Sequence, residues 1–286
     1  MKYYNRRTKT IEESVEYKEN ILFFLYNTKF GRILLKLFVA RPWVSKIYGL
    51  YQKSPLSKKD IKPFVKKYNI DVSDKEMEKF RSFNDFFIRK PKIIPKSAKR
   101  IVISIADAKL SIYNISEDLT LKIKNSTYTV ESILQNKELA SFFKNGTCLV
   151  YRLAVNDVHH YNFIDDGQLA FHKKIKGKLH TIRPIAEKYN IYSENSREVS
   201  LLKTDNIGYV AQVEVGALLV GKIKNNNKRT FKKTEEKGYF EFGGSTIVLF
   251  VNNENIVFDD DIVNASKQGI ETQVFAGERI GLIQNA

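Results

Sequence analysis

The feature that constrains this chain most is a change in its hydrophobic pattern near residue 100. Before that point, apolar residues recur at the spacing of one helical face. The clearest set is Phe30, Ile33, Leu34, Leu37 and Phe38. After it, short β-branched runs predict strands over Thr147 to Ala154, Tyr209 to Lys224 and Thr246 to Val251. We therefore expect an α+β fold, mainly helical over residues 1–100 and β-rich over residues 101–286.

Local signals predict where several elements begin and end. Pro91 and Pro95, with lysines around them, indicate a connector between the two parts. The asparagine run 225–227 is typical of a turn. The aspartates at 259–261 predict the start of a short helix that ends at Gly269.

The positive charge is concentrated in the helical part. Residues 1–100 hold 25 Lys and Arg against 10 Asp and Glu, whereas the rest of the chain holds 23 against 22. This asymmetry favours an anionic partner, either a membrane surface or a nucleic acid, although a solvated basic surface explains it equally well. The nucleic-acid hypothesis rests on charge alone, because the sequence contains no recognisable nucleic-acid-binding module.

Membrane crossing is not expected. The stretch from Ile21 to Ala40 carries too many charges to span a bilayer, and the polar N-terminus does not resemble a signal peptide. An aromatic-rich helix with a basic face can lie in the headgroup plane instead. The alternative is a helix that packs its apolar face on the protein's own core. Cys148 is the only cysteine, which excludes an intrachain disulfide and suits a reducing compartment.

The most specific motif is Phe242-Gly243-Gly244-Ser245-Thr246, which leads into an apolar strand. Alone it is weak evidence, since most such tetrapeptides are tight turns. Five further segments give it weight. They are Ser-Phe-Asn-Asp-Phe-Phe-Ile-Arg-Lys at 82–90, Ser104-Ile105-Ala106-Asp107, Asp157-Val158-His159, Val215-Gly216-Ala217 with Val220-Gly221, and Glu271-Thr272 with Gly277-Glu278-Arg279-Ile280-Gly281. In this order they resemble the phosphatidylserine decarboxylase family, and the Lys-Tyr-Tyr-Asn-Arg opening resembles its clostridial branch.

The resemblance implies a proenzyme that cuts itself between Gly244 and Ser245. The products would be chains 1–244 and 245–286, with Ser245 converted into a pyruvoyl group. Glycines before the serine allow its hydroxyl to approach the backbone closely. The pyruvoyl group would bind the amine of phosphatidylserine and accept electrons as carbon dioxide leaves, which yields phosphatidylethanolamine. No dissociable cofactor and no metal are expected.

The resemblance also implies partners and a location. The substrate would be phosphatidylserine in an anionic membrane, and the two chains of one precursor would stay together. The basic N-terminal region would bind peripherally to the cytoplasmic side of the cell membrane. No nucleic acid is expected, and a homo-oligomer is compatible with the sequence.

Residue roles follow by position in the family motifs. Asp107 matches the aspartate that orients the base in self-cleavage, and His159 matches the histidine used in substrate handling and proton delivery. Asn162 stands where the family has its base histidine, and an amide cannot take up a proton near neutrality. Losing a general base costs about 10²–10⁴-fold. His160 is a candidate substitute base, because alternate residues of a strand share a face.

Two functions therefore remain from the resemblance. The first is an active decarboxylase in which His159 or His160 takes over the role of the base. The second is an inactive homologue that binds an anionic membrane or a partner enzyme, uncut because of Asn162. Other positions near the site also depart from the family pattern: Ile105, Ala108, Val155, Val158, Leu218 and Lys222.

Overall fold

A ten-stranded β-sheet dominates the computed structural model, which describes residues 2–13, 19–39, 41–90, 98–124, 126–181, 184–218, 222–226, 228–242 and 245–284. The strands are β1 Lys2–Asn5, β2 Thr10–Glu13, β3 Ile101–Ile103, β4 Ala108–Asn114, β5 Thr120–Ile123, β6 Ser126–Thr129, β7 Thr147–Leu153, β8 His160–Asn162, β9 Gly167–Ile175, β10 Arg197–Thr204, β11 Tyr209–Val215, β12 Ile223–Asn225, β13 Thr230–Phe231, β14 Glu236–Phe240, β15 Ser245–Val251, β16 Ile256–Phe258, β17 Glu271–Val274 and β18 Arg279–Ile283.

Ten α-helices are described alongside these strands. They are α1 Glu19–Asn27, α2 Lys29–Leu34, α3 Pro42–Lys53, α4 Ile61–Tyr68, α5 Asp74–Lys79, α6 Phe83–Phe87, α7 Val130–Leu134, α8 Lys137–Ser141, α9 Ile191–Glu194 and α10 Asp260–Lys267. A π-helix covers Leu35–Val39, and 3₁₀-helices cover Pro55–Asp60 and Pro184–Tyr189. The predicted α+β class is confirmed. No helix among the described residues is long and apolar enough to cross a membrane.

The large sheet has the strand order β13-β9-β10-β11-β15-β7-β4-β17-β1-β2. Its pairings are antiparallel except for the parallel contact between β1 and β17. Strand β15 is central, with β11 on one side and β7 on the other, and all seven of its residues are buried. An all-apolar run after the serine is what a strand covered on both faces requires.

The sequence predicted these central elements well. Strands β7 and β15 match the predicted runs, and α10 begins among the aspartates as expected. The run predicted over Tyr209 to Lys224 is too long, because β11 ends at Val215 and Ile223 and Lys224 belong to β12 of another sheet. Gly269 ends that helix with a φ of 73°, a left-handed conformation that favours glycine. The connector at 91–97 and the end of the asparagine turn, Asn227, lie outside the described residues.

The N-terminal region is mainly helical, as predicted, but its first strands were not foreseen. Residues 2–13 form the hairpin β1–β2, which adds two strands to the edge of the large sheet. These strands read Lys-Tyr-Tyr-Asn and Thr-Ile-Glu-Glu, so they lack the alternating apolar pattern of a half-buried strand. Their pairing with β17 brings together residues almost 270 positions apart, which local patterns cannot indicate.

Most of the apolar face predicted in the N-terminal helices is turned outward, although Leu34 is partly buried against the main core. Phe30, Ile33 and Leu37 are 63, 55 and 51% exposed, whereas Leu35 is buried in the main core. The alternative in which this face packs on the protein's own core is therefore wrong for these three residues. The side chain of Phe38 lies outside the described part of the chain.

A second hydrophobic cluster joins the N-terminal helices to the body. It contains residues of α4 and α6 together with Phe242, which lies just before the Gly-Gly-Ser motif. The ring centroids of Phe83 and Phe87 lie 5.1 and 5.0 Å from that of Phe242, both edge to face. Aromatic pairs of this geometry add about 0.5–1.5 kcal/mol to the stabilisation from burial.

A buried ion pair connects the two segments that self-cleavage would separate. The guanidinium of Arg152 on β7 donates to both carboxylate oxygens of Glu271 on β17, with a shortest distance of 2.6 Å. Lys124 lies 3.2 Å from the same carboxylate. Burial alone would raise the pKa of Glu271, but the two cations outweigh it and hold the pKa below its usual value.

Glu271→Gln is expected to lower the free energy of unfolding by about 3–5 kcal/mol, because Arg152 would keep a buried charge without its counterion. Urea unfolding in a Ser245→Ala background, which removes the expected self-cleavage, provides the measurement. Glu117→Gln is the matched control, since its ion pair with Lys144 is exposed and should contribute little. Equal losses in both variants would contradict the expectation.

Candidate active site

Ser245 is the first residue of β15 and is fully buried. Its Oγ makes no hydrogen bond within the described residues, which exclude the neighbouring Gly243 and Gly244. A buried hydroxyl without a partner costs about 1–3 kcal/mol. Such groups are rare in folded proteins and often mark a functional position, so this atom is the centre of the candidate site.

The turn after β7 brings a histidine to the same end of the sheet. Ser245 pairs with Leu153, the last residue of β7. The chain then turns at Ala154, whose backbone N–H donates to Asp157 Oδ2 at 2.8 Å. His159 follows this turn, and its carbonyl accepts the N–H of Phe240 at 3.0 Å. This bond places the backbone of His159 beside Phe240, five residues before Ser245.

The hydrogen bond of His159 fixes its neutral tautomer. Nδ1 lies 2.9 Å from the carbonyl oxygen of Asp157, and a carbonyl can only accept, so Nδ1 carries the proton. In the neutral ring, Nε2 then keeps the lone pair and can take up a proton. The ring is fully buried and packs on Phe87, with 4.1 Å between centroids.

His160 has a different environment on β8. Its Nδ1 lies 2.8 Å from the carboxylate of Glu236, and its Nε2 lies 3.0 Å from the carbonyl oxygen of Ile88. Both partners are acceptors, so each ring nitrogen already faces a group of the protein and neither is open to take a proton from another residue.

Asn162 lies beside the turn that precedes Asp107. Its side-chain amide donates to the carbonyl of Ile105 at 3.4 Å, and its backbone N–H donates to the same oxygen at 2.9 Å. Asp107 directly precedes β4, the neighbour of β7, so it lies two strands from Ser245, a distance of roughly 10 Å across the sheet. The predicted positions 107, 159, 162 and 245 thus lie towards the end of the large sheet at which β7 ends and β15 begins.

Asp107 is itself in an unusual electrostatic environment. Its Oδ1 accepts the backbone N–H of Ala276 at 2.9 Å. Burial raises the pKa of Asp107, and the charge of Asp157 adds to the rise, whereas Lys109 and Arg89 oppose it. A carboxyl with a raised pKa beside two cations is typical of functional sites, and ion-pair networks produce the same effect.

The segment 82–90 holds the site together, a role that sequence reasoning missed. The Asn84 side chain accepts the backbone N–H of Phe242 at 3.1 Å, and the Phe87 ring contacts His159. The guanidinium of Arg89 donates to the carbonyl of Asn156 in the turn before His159, at 3.0 Å. From the sequence, segment 82–90 serves only as a family signature. Its density of aromatic and polar residues is the signal that could have indicated these contacts.

The strand that leads to Ser245 is fixed by a second set of contacts. Lys237 on β14 is buried, and its Nζ lies 2.7 Å from Glu214 Oε1 and 2.8 Å from Asn225 Oδ1. At Gly238 a Cβ would lie 2.2 Å from the carbonyl oxygen of Lys224, so only glycine allows the approach of β12. Lys53 of α3 pairs with Glu241 at 2.7 Å.

The family described as phosphatidylserine decarboxylase matches residues 80–282. The chain belongs to this family. It is 51% identical to phosphatidylserine decarboxylase proenzyme 2 of Clostridium acetobutylicum, over 97% of each chain. It is 40% identical to the phosphatidylserine decarboxylase proenzyme of Clostridium perfringens strain SM101, over 98% of this chain and 99% of that one.

A third relative lies outside that genus. The phosphatidylserine decarboxylase proenzyme of Desulfitobacterium hafniense is 37% identical, over 99% of this chain and 98% of its own. The predicted family and its clostridial branch are confirmed, and with them the assignment to a family of decarboxylases. The roles of individual residues remain predictions, and Gly244, Val220 and Gly221 lie outside the described residues.

Phe242→Ala is expected to lower the free energy of unfolding by about 3–5 kcal/mol, because it removes a buried ring from the contact between the two parts of the protein. Phe23→Ala is the control, since that side chain is 60% exposed and its loss should change stability little. Urea unfolding of both variants, again with Ser245→Ala, gives the comparison. A loss below about 1 kcal/mol for Phe242→Ala would show that this cluster does not hold the two parts together.

Proposed function

We propose that this protein is a pyruvoyl-dependent phosphatidylserine decarboxylase that matures by cutting itself between Gly244 and Ser245. The observation that carries the proposal is the buried Ser245 Oγ without a hydrogen-bond partner among the described residues, at the end of the sheet where His159 lies. In a member of this family, such a hydroxyl fits the nucleophile of self-cleavage.

The proposed cleavage needs a proton acceptor and one water molecule. As Ser245 Oγ attacks the carbonyl carbon of Gly244, the peptide nitrogen leaves and an ester forms. Loss of the α-proton of residue 245 then breaks the Cβ–Oγ bond, which leaves a carboxylate on Gly244 and a dehydroalanine. Water hydrolyses the dehydroalanine to the pyruvoyl group and ammonia.

His159 is the base that the geometry favours. Its Nδ1–H is committed to the carbonyl of Asp157, so Nε2 is the nitrogen that can accept the proton from Ser245. His160 is less suitable because both of its nitrogens face acceptors. Asp107 would act through the turn at Ile105 and Ala106, where the amide of Asn162 donates its hydrogen bond.

Strand β15 would keep the new terminus in place after cleavage. Its pairing with β7 and β11 begins at Ser245 and Thr246, so residue 245 would remain at the same end of the large sheet. The pyruvoyl group would supply the electron sink for loss of carbon dioxide from phosphatidylserine. His159, packed against Phe87 in a buried environment, would hold the proton that replaces the lost carboxylate.

The substrate implies work at a lipid surface, and the exposed face of the N-terminal helices supports this. Phe30, Ile33 and Leu37 lie on the same segment as the cations Arg32 and Lys36, a combination that suits the headgroup region of an anionic membrane. We place the protein peripherally on the cytoplasmic face, with phosphatidylserine as its partner there.

One observation favours the second candidate function, an uncut homologue that binds membranes. The position of the family's base histidine is an asparagine, and its amide is used to hold the turn before Asp107. If neither His159 nor His160 replaces that base, Ser245 stays in the chain and no pyruvoyl group forms.

The purified protein is expected to run as two chains, 1–244 and 245–286, instead of one chain of 33.1 kDa. Intact mass should show a ketone at residue 245, and the protein should convert phosphatidylserine to phosphatidylethanolamine. Ser245→Ala is the control and should stay uncut and inactive. A single uncut wild-type chain that still binds anionic vesicles would support the second candidate instead.

His159→Gln is expected to slow self-cleavage by at least about 10²-fold, because it removes the proton acceptor. His160→Gln should slow it less than about tenfold, since that ring holds Glu236 and Ile88 and takes up no proton. Time courses of chain appearance after cell-free synthesis give the rates. Restoration or strong acceleration of cleavage by Asn162→His would instead identify position 162 as the missing base.

A further inference from the structure

A cavity of about 340 Å³ is lined by residues of the N-terminal helices together with Lys178, His180 and Tyr189. Four cations from two parts of the chain line it: Arg32, Lys36, Arg41 and Lys178. No carboxylate is present among its described lining residues. The cavity is therefore a concentration of positive charge.

Three of these cations have no counterion among the described residues. Lys178 pairs with Glu194 at 2.8 Å, whereas the side chains of Arg32, Lys36 and Arg41 make no ion pair within the described part of the chain. Like charges that face one cavity repel one another, so a bound anion would relieve an unfavourable arrangement. Two of the three are arginines, whose planar guanidinium groups suit phosphate oxygens.

The wall of the cavity adds a buried donor. His180 is 3% exposed, and its ring stacks on Tyr189 with 4.4 Å between centroids. The Tyr26 hydroxyl accepts the N–H of Thr181 at 3.0 Å and lies 3.3 Å from Nδ1 of His180. When this hydroxyl donates its own proton to Nδ1, Nε2 carries the ring proton, and no hydrogen bond engages Nε2 among the described residues. Burial and the charge of Lys178 lower the pKa of His180 to about 4, so this donor is neutral at pH 7.

The surroundings of the cavity indicate what kind of anion it takes. Beside Arg32 and Lys36 stand the exposed apolar side chains of Phe30, Ile33 and Leu37, and the helix after Arg41 exposes a further set. That set is Trp43, Ile47 and Leu50. A soluble phosphate makes no favourable contact with an apolar surface, whereas the acyl chains of a lipid bury it.

We infer that this cavity binds the phosphodiester of an anionic phospholipid, whose acyl chains lie along the exposed apolar side chains of the N-terminal helices. Arg32, Lys36 and Arg41 neutralise the phosphate, and His180 donates a hydrogen bond to it. The inference rests on the proposed function in one respect, namely that the protein acts at a membrane surface.

The position of the cavity relates it to the candidate active site. The carbonyl of His180 accepts the N–H of Leu218, which follows the end of β11. At that end of β11, Val215 pairs with Thr246, the residue after Ser245. A lipid held in the cavity would therefore bring the membrane surface to the end of the sheet that carries the chemistry.

The test uses uncut Ser245→Ala protein and sedimentation with vesicles of phosphatidylglycerol and phosphatidylcholine. The variant Arg32→Gln/Lys36→Gln/Arg41→Gln should bind about 100-fold more weakly, since each cation near an anionic surface contributes about 1 kcal/mol. The control Lys59→Gln/Lys66→Gln/Lys75→Gln removes the same charge from exposed positions elsewhere in the N-terminal region. The fold-loss of vesicle affinity in this control should be at least about tenfold smaller than that in the first variant. Equal losses would overturn the site and leave only diffuse attraction.

His180→Phe separates hydrogen bonding from charge, because it keeps a ring and leaves the net charge at pH 7 unchanged. It should weaken vesicle binding about tenfold, and unchanged binding would remove His180 from the site. Competition with inorganic phosphate distinguishes the source of the anion. If millimolar phosphate binds and the triple variant still sediments like the parent, the cavity takes a soluble anion and the inference is wrong.

Urea midpoints equal to that of the parent would confirm that the variants are folded. The assay reads binding of an uncut chain, so it is independent of the proposed chemistry. Absence of decarboxylase activity in the wild type would overturn the proposed function and leave the lipid site standing. Equal vesicle binding by the triple variant and its control would overturn the lipid site and leave the proposed function standing.

Discussion

The contact between Phe242 and the helix Phe83–Phe87 is the interaction on which the candidate site depends. It joins the basic helical region to the β-rich body, and it does so three residues before Ser245. The same short helix supplies the amide of Asn84 to the backbone of Phe242 and a ring to His159. The contacts that pack the N-terminal helices on the body therefore also position the segment before Ser245.

Electrostatics around the site follow from its burial. Lys109 pairs with Asp157 at 2.9 Å, and Asp157 in turn closes the turn that presents His159. Arg89 is held in the same region, where burial lowers the pKa of its guanidinium. Charges removed from water interact strongly, so each cation and carboxylate here restricts where its neighbours can lie. These contacts therefore restrict the conformation of the turn that presents His159.

Much of the body was predictable because its signals are local. The β-branched run after Ser245 and the aspartates before α10 carry their own patterns, and both elements form as expected. The hairpin at 2–13 was not predictable, since its strands are polar and pair with β17 at the far end of the chain. The role of segment 82–90 was missed for the same reason: its contacts with Asn156, His159 and Phe242 are long-range. Periodicity placed Phe30 and Ile33 on a common face, but only the packing of Leu35 revealed which face is exposed.

The hairpin at the N-terminus also has a consequence for biosynthesis. Arg6 in its turn contacts Asp259, Asp261 and Glu278, which are 253 to 272 positions away. Strands β1 and β2 are synthesised more than 250 residues before β17, so until then they present an open sheet edge. Completion of the large sheet must wait for β15 and β17. A chain stalled before β17 would expose this edge, which can pair with another unfinished chain.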